Sequence, residues 1–163
     1  MKFRATTIYC SAELSLQWPR PLARSWMRQY PHLFDRDDLR LVLNQPRYHF
    51  PEWFTAIHLF QRDGVQVLLE KYAYGNHDRK RRLLRKILSR EQLAVLDEMR
   101  NSHQVQPPDL FVFAPDGRFW FAEAKGPQDR LRPKQLRSHE FIRKRLRVPV
   151  EVFQIRVHKV SAT

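Results

Sequence analysis

Apolar residues recur at helical spacing in some stretches and run continuously or alternate in others, so the elements read in order from about residue 47. In FPEWFTAIHLFQRDG, Phe54, Ile57 and Phe60 share a helical face, Pro51 suits a first turn, and Gly64 marks the stop. VQVLLEKYAY is rich in β-branched and aromatic residues and predicts a strand over about 65–73. DRKRRLLRKIL predicts a helix with Asp78 as its cap. Ser89 with Gln92 forms a capping-box pattern that opens another, SREQLAVLDEMR. Two aromatic runs, LFVF and FWF, flank Pro115-Asp116-Gly117 and predict a hairpin over 109–124. RPKQLRSHEFIRKRLR, with Pro133 in its first turn, predicts a basic helix, and VPVEVFQIRV a closing strand. Helices alternating with strands in this way predict an α/β fold around a mixed sheet of about four strands, over residues 47–163.

Residues 1–46 have a different texture. Trp18, Pro19, Pro21, Trp26 and Pro31 interrupt any period, and one short helix, DRDDLRLVLNQ, follows Asp35 and stops at Pro46. The pattern predicts an N-terminal accessory segment that packs on the rest. Composition adds two constraints. Of 163 residues 42% are hydrophobic, enough for a core, while 30 Lys and Arg against 17 Asp and Glu leave a formal charge of +13. That excess points to a polyanion, nucleic acid before a membrane surface, and no apolar run is long enough for a span. Cys10 is the single cysteine, so no intrachain disulfide forms. With no convincing signal peptide in MKFRATTIYCSAEL, the cytoplasm is the expected location.

The candidate chemistry lies at the mouth of the hairpin. Proline at the first corner and glycine after it suit a three-residue loop in which Ala114 pairs with Arg118. Stepping back along both strands in that register brings Asp109 opposite Glu123, with Cβ atoms roughly 4.5–5.5 Å apart. Lys125, two residues beyond Glu123, falls on the same face. Two carboxylates this close repel unless a positive charge lies between them. A lysine in an ordinary salt-bridged strand end serves, and so does a divalent cation, which takes carboxylate oxygens; the register alone leaves both open.

Pro108-Asp109 followed by Glu123-x-Lys125 resembles the PD-(D/E)XK nuclease pattern, and AEAKGPQDRLRPKQ resembles the E-x-K-G-P-x-D-R-L-x-x-x-Q signature of the virus-type replication–repair (VRR-NUC) nuclease domain. The similarity is clearest over 108–135, and the element order extends it over about 47–157. It implies a restriction-endonuclease-like fold and a DNA endonuclease dependent on Mg²⁺ or Mn²⁺. Asp109, Glu123 and the carbonyl of Ala124 would be the metal ligands. Lys125 would orient the attacking water, Glu52 would reach the site from the first core helix, and Gln135 from the helix that follows. One position departs from the pattern: Arg132-Pro133 follows Leu131 where relatives often carry a small hydroxyl residue. The resemblance further implies structure-selective action on branched or junction DNA, in repair, recombination or phage-related processing, and a homodimer.

Two basic helical segments flank this centre. Arg79, Lys80, Arg81, Arg82, Arg85 and Lys86 form the first, and Arg130, Arg132, Lys134 and Arg137 begin the second. Their one-signed excess beside a phosphodiesterase centre predicts contact with the DNA backbone, with low sequence specificity because no base-reading motif accompanies it. Two other readings use the same residues: a non-cleaving DNA-binding module, and a defence or restriction-like nuclease.

Overall fold

The computed structural model describes residues 4–74 and 77–158. The chain runs through strand β1 (Ala5–Ser11), helices α1 (Ala12–Leu16), α2 (Leu22–Gln29), α3 (Arg36–Asn44) and α4 (Phe50–Asp63), and strand β2 (Gln66–Leu69). Helices α5 (Asp78–Ile87) and α6 (Arg90–Asn101) follow, then strands β3 (Leu110–Phe113) and β4 (Phe119–Lys125), helix α7 (Pro133–Leu146) and strand β5 (Val150–His158).

Local chemistry sets most helix ends. Pro51 occupies the first turn of α4, and Gly64 closes it at φ 66, where its N–H donates to the Phe60 carbonyl at 2.8 Å. Ser89 and Gln92 cap α6 reciprocally, as do Asp35 and Asp38 in α3. Asp78 is not the cap of α5. His77 precedes that helix, and Asp78 sits in its first turn, where a carboxylate still favours the positive end of the helix dipole.

The five strands lie in the order β1-β5-β4-β3-β2. β2, β3 and β4 are antiparallel neighbours, whereas β4, β5 and β1 run parallel, the return from β4 to β5 being made through α7. One face carries Val67, Leu69, Leu110, Val112 and Ala122 against α4 and the N-terminal helices; the other carries Leu68, Phe111 and Phe121 against residues of α5, α6 and α7. The sheet thus has five strands rather than about four. The additional one, β1, pairs Ala5 with Val152 and Ser11 with His158. It is an edge strand on which only Ile8 and Cys10 are buried, too weak an alternation to stand out in the sequence.

The segment before residue 47 also supplies Leu22, Trp26, Leu33, Phe34 and Val42 to the core, with the Phe34 and Trp53 rings stacked at 3.8 Å. β2 is shorter than its composition suggests. Lys71 adopts a left-handed φ of 63 and turns the chain away from the sheet. Tyr72, apolar enough to read as strand, is instead buried in that turn, its hydroxyl donating to the Pro108 carbonyl at 2.7 Å.

Candidate active site

The hairpin forms in the predicted register. The Ala114 N–H donates to the Arg118 carbonyl at 2.8 Å, Gly117 takes φ 88, and Leu110 pairs with Ala122. Hydrogen-bonded and non-bonded pairs alternate along an antiparallel ladder, so the next position, Asp109 with Glu123, is a non-bonded one, where side chains approach most closely. Their carboxyl groups lie near enough to share a proton. Asp109 Oδ2 also accepts the Ala124 N–H at 3.0 Å. That N–H faces the β3 side, and the carbonyl of the same residue faces it too, just where β3 has ended.

Glu123 is fully buried, and Lys125, Gln135 and His139 nearly so. Gln135 joins them. Its Oε1 accepts the Lys125 Nζ at 2.9 Å and the Arg132 N–H at 3.0 Å, while its Nε2 donates to Glu123 Oε2 at 3.4 Å. The same amide therefore satisfies the N–H of the residue that precedes α7 and fixes the lysine beside the glutamate. His139 Nε2 lies 3.4 Å from Glu123 Oε1. After the lysine, Gly126 donates its N–H to Asp129 Oδ2 at 3.0 Å and accepts the Asp129 N–H at 3.1 Å. A Cβ on Gly126 would lie 3.0 Å from that Asp129 oxygen, which explains the glycine and the aspartate of the turn.

Glu52, in the first turn of α4, faces Asp109 and a residue the sequence did not single out, Glu70. One step beyond the Leu69–Leu110 pair, the register places Glu70 opposite Asp109, so Glu70, Asp109 and Glu123 fall in a row across three strands. His49 is the second addition. Its Nδ1 is 2.9 Å from Glu70 Oε1 and its Nε2 is 2.6 Å from Gln45 Oε1.

The electrostatics follow from this crowding. Burial, and then the Glu123 charge, hold the Asp109 carboxyl well above its usual range. Burial, followed by Asp109 and Glu70, does the same to Glu52. Glu123 is raised by burial against the opposing pull of its bonds to Asp109 and of Lys125. The His139 ring is pushed down to about 4 by burial first and Lys125 second. Four carboxylates crowd together, Lys125 acts on Glu123 among them, and Glu52 Oε2 is buried with no hydrogen-bond partner. Such a donor set fits a divalent cation, and His49, Glu52 and Glu70 alone offer atoms within 4.8 Å of one another.

The basic segments divide. Lys80 is a correction: it is buried, and its ammonium binds Asp38 and donates to the carbonyls of Leu69 at 2.9 Å and Glu70 at 3.1 Å, so it has no face for a phosphate. It points inward because Leu84, four residues on, shares its helical face and is buried with it. Arg79 pairs with Asp35, and Arg81 binds Asp97 through two nitrogens at 2.9 and 3.0 Å. Arg82, Arg85, Lys86, Arg130, Arg132 and Arg137 are exposed and Lys134 half-buried, and no ion pair holds them among the described residues.

A mixed sheet whose antiparallel hairpin delivers two carboxylates and a lysine to one end defines an α/β protein of the PD-(D/E)XK type. The family model of the VRR-NUC domain matches residues 59–158, well over half of the chain, and the chain belongs to that family. Its function is accordingly of the nuclease type, in the processing of DNA. No curated protein and no solved structure matches the chain. Glu70, Asp109, Glu123, Lys125, Gln135 and His139 lie within the matched span, whereas His49 and Glu52 precede it. Among the described residues no helix is long and apolar enough to cross a membrane.

Proposed function

We propose that the protein is an endodeoxyribonuclease dependent on Mg²⁺ or Mn²⁺ that hydrolyses phosphodiester bonds in branched or junction DNA. The observation that carries this reading is the Asp109–Glu123 pair held face to face, with Lys125 fixed beside it by Gln135. Asp109, Glu123 and the Ala124 carbonyl would hold the cation, with Glu52 completing the carboxylate side. When bound, the cation lowers the pKa of a water and neutralises charge that develops on the phosphate.

Lys125 keeps its ammonium on the Gln135 amide at 2.9 Å, so its remaining protons are directed to a water or a phosphate oxygen at a fixed position. Burial strengthens that interaction because little solvent competes. Gln135 acts on Lys125 and on Glu123 together, as a positioning residue. Arg130, Arg132, Lys134 and Arg137 lie at or near the start of α7, which packs on Glu123 through Gln135 and His139, and would hold the DNA backbone there. Arg82, Arg85 and Lys86 on α5 would extend that hold. Backbone contacts of this kind read shape rather than sequence, which supports selection of a DNA structure.

Incubating linear, flap and four-way-junction DNA with the protein, with and without Mg²⁺ or Mn²⁺, tests the reading. Cleavage should need the cation, favour the branched substrates, and fall below detection in Lys125→Ala and Asp109→Ala. Tight binding with no nicking under any cation would show a DNA-binding module instead.

A further inference from the structure

Two open cavities adjoin the row of carboxylates, and Glu70 is a wall of both. One, of about 410 Å³, lies between Arg47, Tyr48, Pro51, Glu52 and Glu70. The other, of about 310 Å³, lies between Glu70, Lys71, Tyr74, Pro107 and Asp109. Both are of a size that holds a small organic group. Each pairs an exposed tyrosine with an exposed cation. Tyr48 is 66% exposed and Tyr74 50%. Arg47 and Lys71 are exposed as well, and no ion pair holds either among the described residues. A solitary surface tyrosine is ordinary, but these two have pinned backbones beneath rings left in solvent. The Tyr48 carbonyl accepts the Trp18 indole N–H at 2.9 Å, and its N–H donates to the Gln45 carbonyl at 3.0 Å. The Tyr74 N–H donates to the Lys71 carbonyl at 3.0 Å, and the Ala73 carbonyl accepts from Arg100 at 3.1 Å. His49, which follows Tyr48, and Lys71 take left-handed φ values of 78 and 63, conformations that residues other than glycine adopt at a cost.

We infer that Tyr48 with Arg47, and Tyr74 with Lys71, each hold one unpaired nucleotide, so that the DNA strand passing the carboxylates is unpaired in both cavities. In each, the ring stacks on a base and the cation takes the adjoining phosphate. A nucleotide suits a cavity with carboxylates on one wall and a cation on another, because its base is neutral and its single charge can sit at Arg47 or Lys71. A tyrosine ring turns on only two side-chain torsions, and on a fixed backbone it loses little freedom by stacking. Within a continuous duplex the neighbours cover both faces of every base, so the two rings find nothing to stack on. Beside a flap or at a branch a face is open. The inference rests on the nuclease reading for what becomes of the strand. To the cations of α5 and α7 it adds the groups that tell an unpaired strand from a duplex.

Fluorescence anisotropy of the full chain with a flap and with a plain duplex of equal length, Ca²⁺ being the only divalent ion, tests it without relying on activity. The unaltered protein should bind the flap more tightly. Tyr48→Ala and Tyr74→Ala should each weaken flap binding roughly tenfold and leave duplex binding within about twofold, because the cations of α5 and α7 remain. Tyr48→Phe and Tyr74→Phe keep a ring and should keep the preference. Tyr9→Ala, at an exposed tyrosine that lines neither cavity, should leave both affinities unchanged. Under ultraviolet light, 5-iodouracil in the unpaired strand beside the branch should crosslink to Tyr48 and Tyr74 of the unaltered chain. Equal weakening of flap and duplex in the alanine variants, or unaltered flap binding with crosslinks elsewhere, overturns the inference. Cation-dependent cleavage alongside either of those results leaves the nuclease reading intact. Flap binding that depends on the tyrosines, with no cleavage under Mg²⁺ or Mn²⁺, supports the inference and ends the nuclease reading.

Discussion

Replacing Lys80 by methionine separates two roles for a lysine in a basic helix, contact with DNA and service inside the fold. Methionine keeps much of the apolar stem and removes the ammonium. Three oxygens then lose a donor: the Asp38 carboxylate and the carbonyls of Leu69 and Glu70. Asp38 is only 5% exposed, and breaking a buried pair from one side costs about 3–5 kcal/mol because the other charge is left uncompensated. For a chain of this size each kcal/mol moves Tm by about 2–4 °C, so the variant should melt about 10 °C lower.

The deficit carries a pH signature. Burial holds the Asp38 carboxyl up at about 6 against the pull of Lys80, compared with an ordinary 3.8. Without Lys80 it rises further. A raised value in the folded state means that the native protein binds more protons than the unfolded chain, so this group's contribution to stability falls as pH climbs from 3.8 through 6 and beyond. The gap between Lys80→Met and the unaltered protein should therefore be smaller at pH 5 than at pH 8. Adding Asp38→Asn, which removes the charge yet keeps an acceptor for the Asp35 N–H, should recover part of the loss at pH 8. Urea unfolding at both pH values measures these differences, and the slope of DNA binding against salt is the control. Stability unchanged within about 0.5 kcal/mol, with a salt slope shallower by about one, would refute the structural role and put the ammonium on a phosphate.

Gln135→Leu should lower DNA cleavage roughly 10–100-fold, because Lys125 and Glu123 both lose the amide that orients them, as outer partners of metal ligands do when removed; a folded variant with unaltered kcat would sink that role. Gly126→Ala should lower Tm by a few degrees, since the new methyl meets Asp129 Oδ2 at 3.0 Å and the turn must open. An unchanged melting curve would show that the turn has slack. If six of the seven cations Arg82, Arg85, Lys86, Arg130, Arg132, Lys134 and Arg137 contact phosphates, log K should fall against log salt with a slope of roughly −5. Neutralising Arg130, Arg132 and Arg137 together should flatten that slope by about three, and no change would move the DNA path away from α7.

The parts of this molecule legible in its sequence are those fixed by near neighbours. Pro115-Asp116-Gly117 set the hairpin register, and the register alone put Asp109 against Glu123. Pro51, Gly64, Ser89 and Gln92 marked helix ends for the same reason: each acts within a turn of its own backbone. β1 was hidden because a parallel edge strand gains its partner from the far end of the chain, and its residues bury one narrow stripe. Periodicity put Lys80 on a charged helix, but only the tertiary packing of α3 against it supplies Asp38, and with it the reason to face inward.

The same distinction explains which half of the site was missed. Asp109 and Glu123 belong to one hairpin, so their meeting is a local event. Glu70 joins them only through the pairing of β2 with β3, across the 40 residues from Glu70 to Asp109 that include two helices, and no turn signal fixes that register. His49 depends on it in turn, because Glu70 is what its ring meets. Lys80 closes the circle: its ammonium holds the carbonyls of Leu69 and Glu70, the end of the strand that carries the extra carboxylate to the others. The buried Asp38–Lys80 pair, a feature of doubtful value for stability by itself, therefore fixes where Glu70 stands. Removing it should disturb the His49–Glu70 contact before the Asp109–Glu123 pair, whose register the hairpin sets independently.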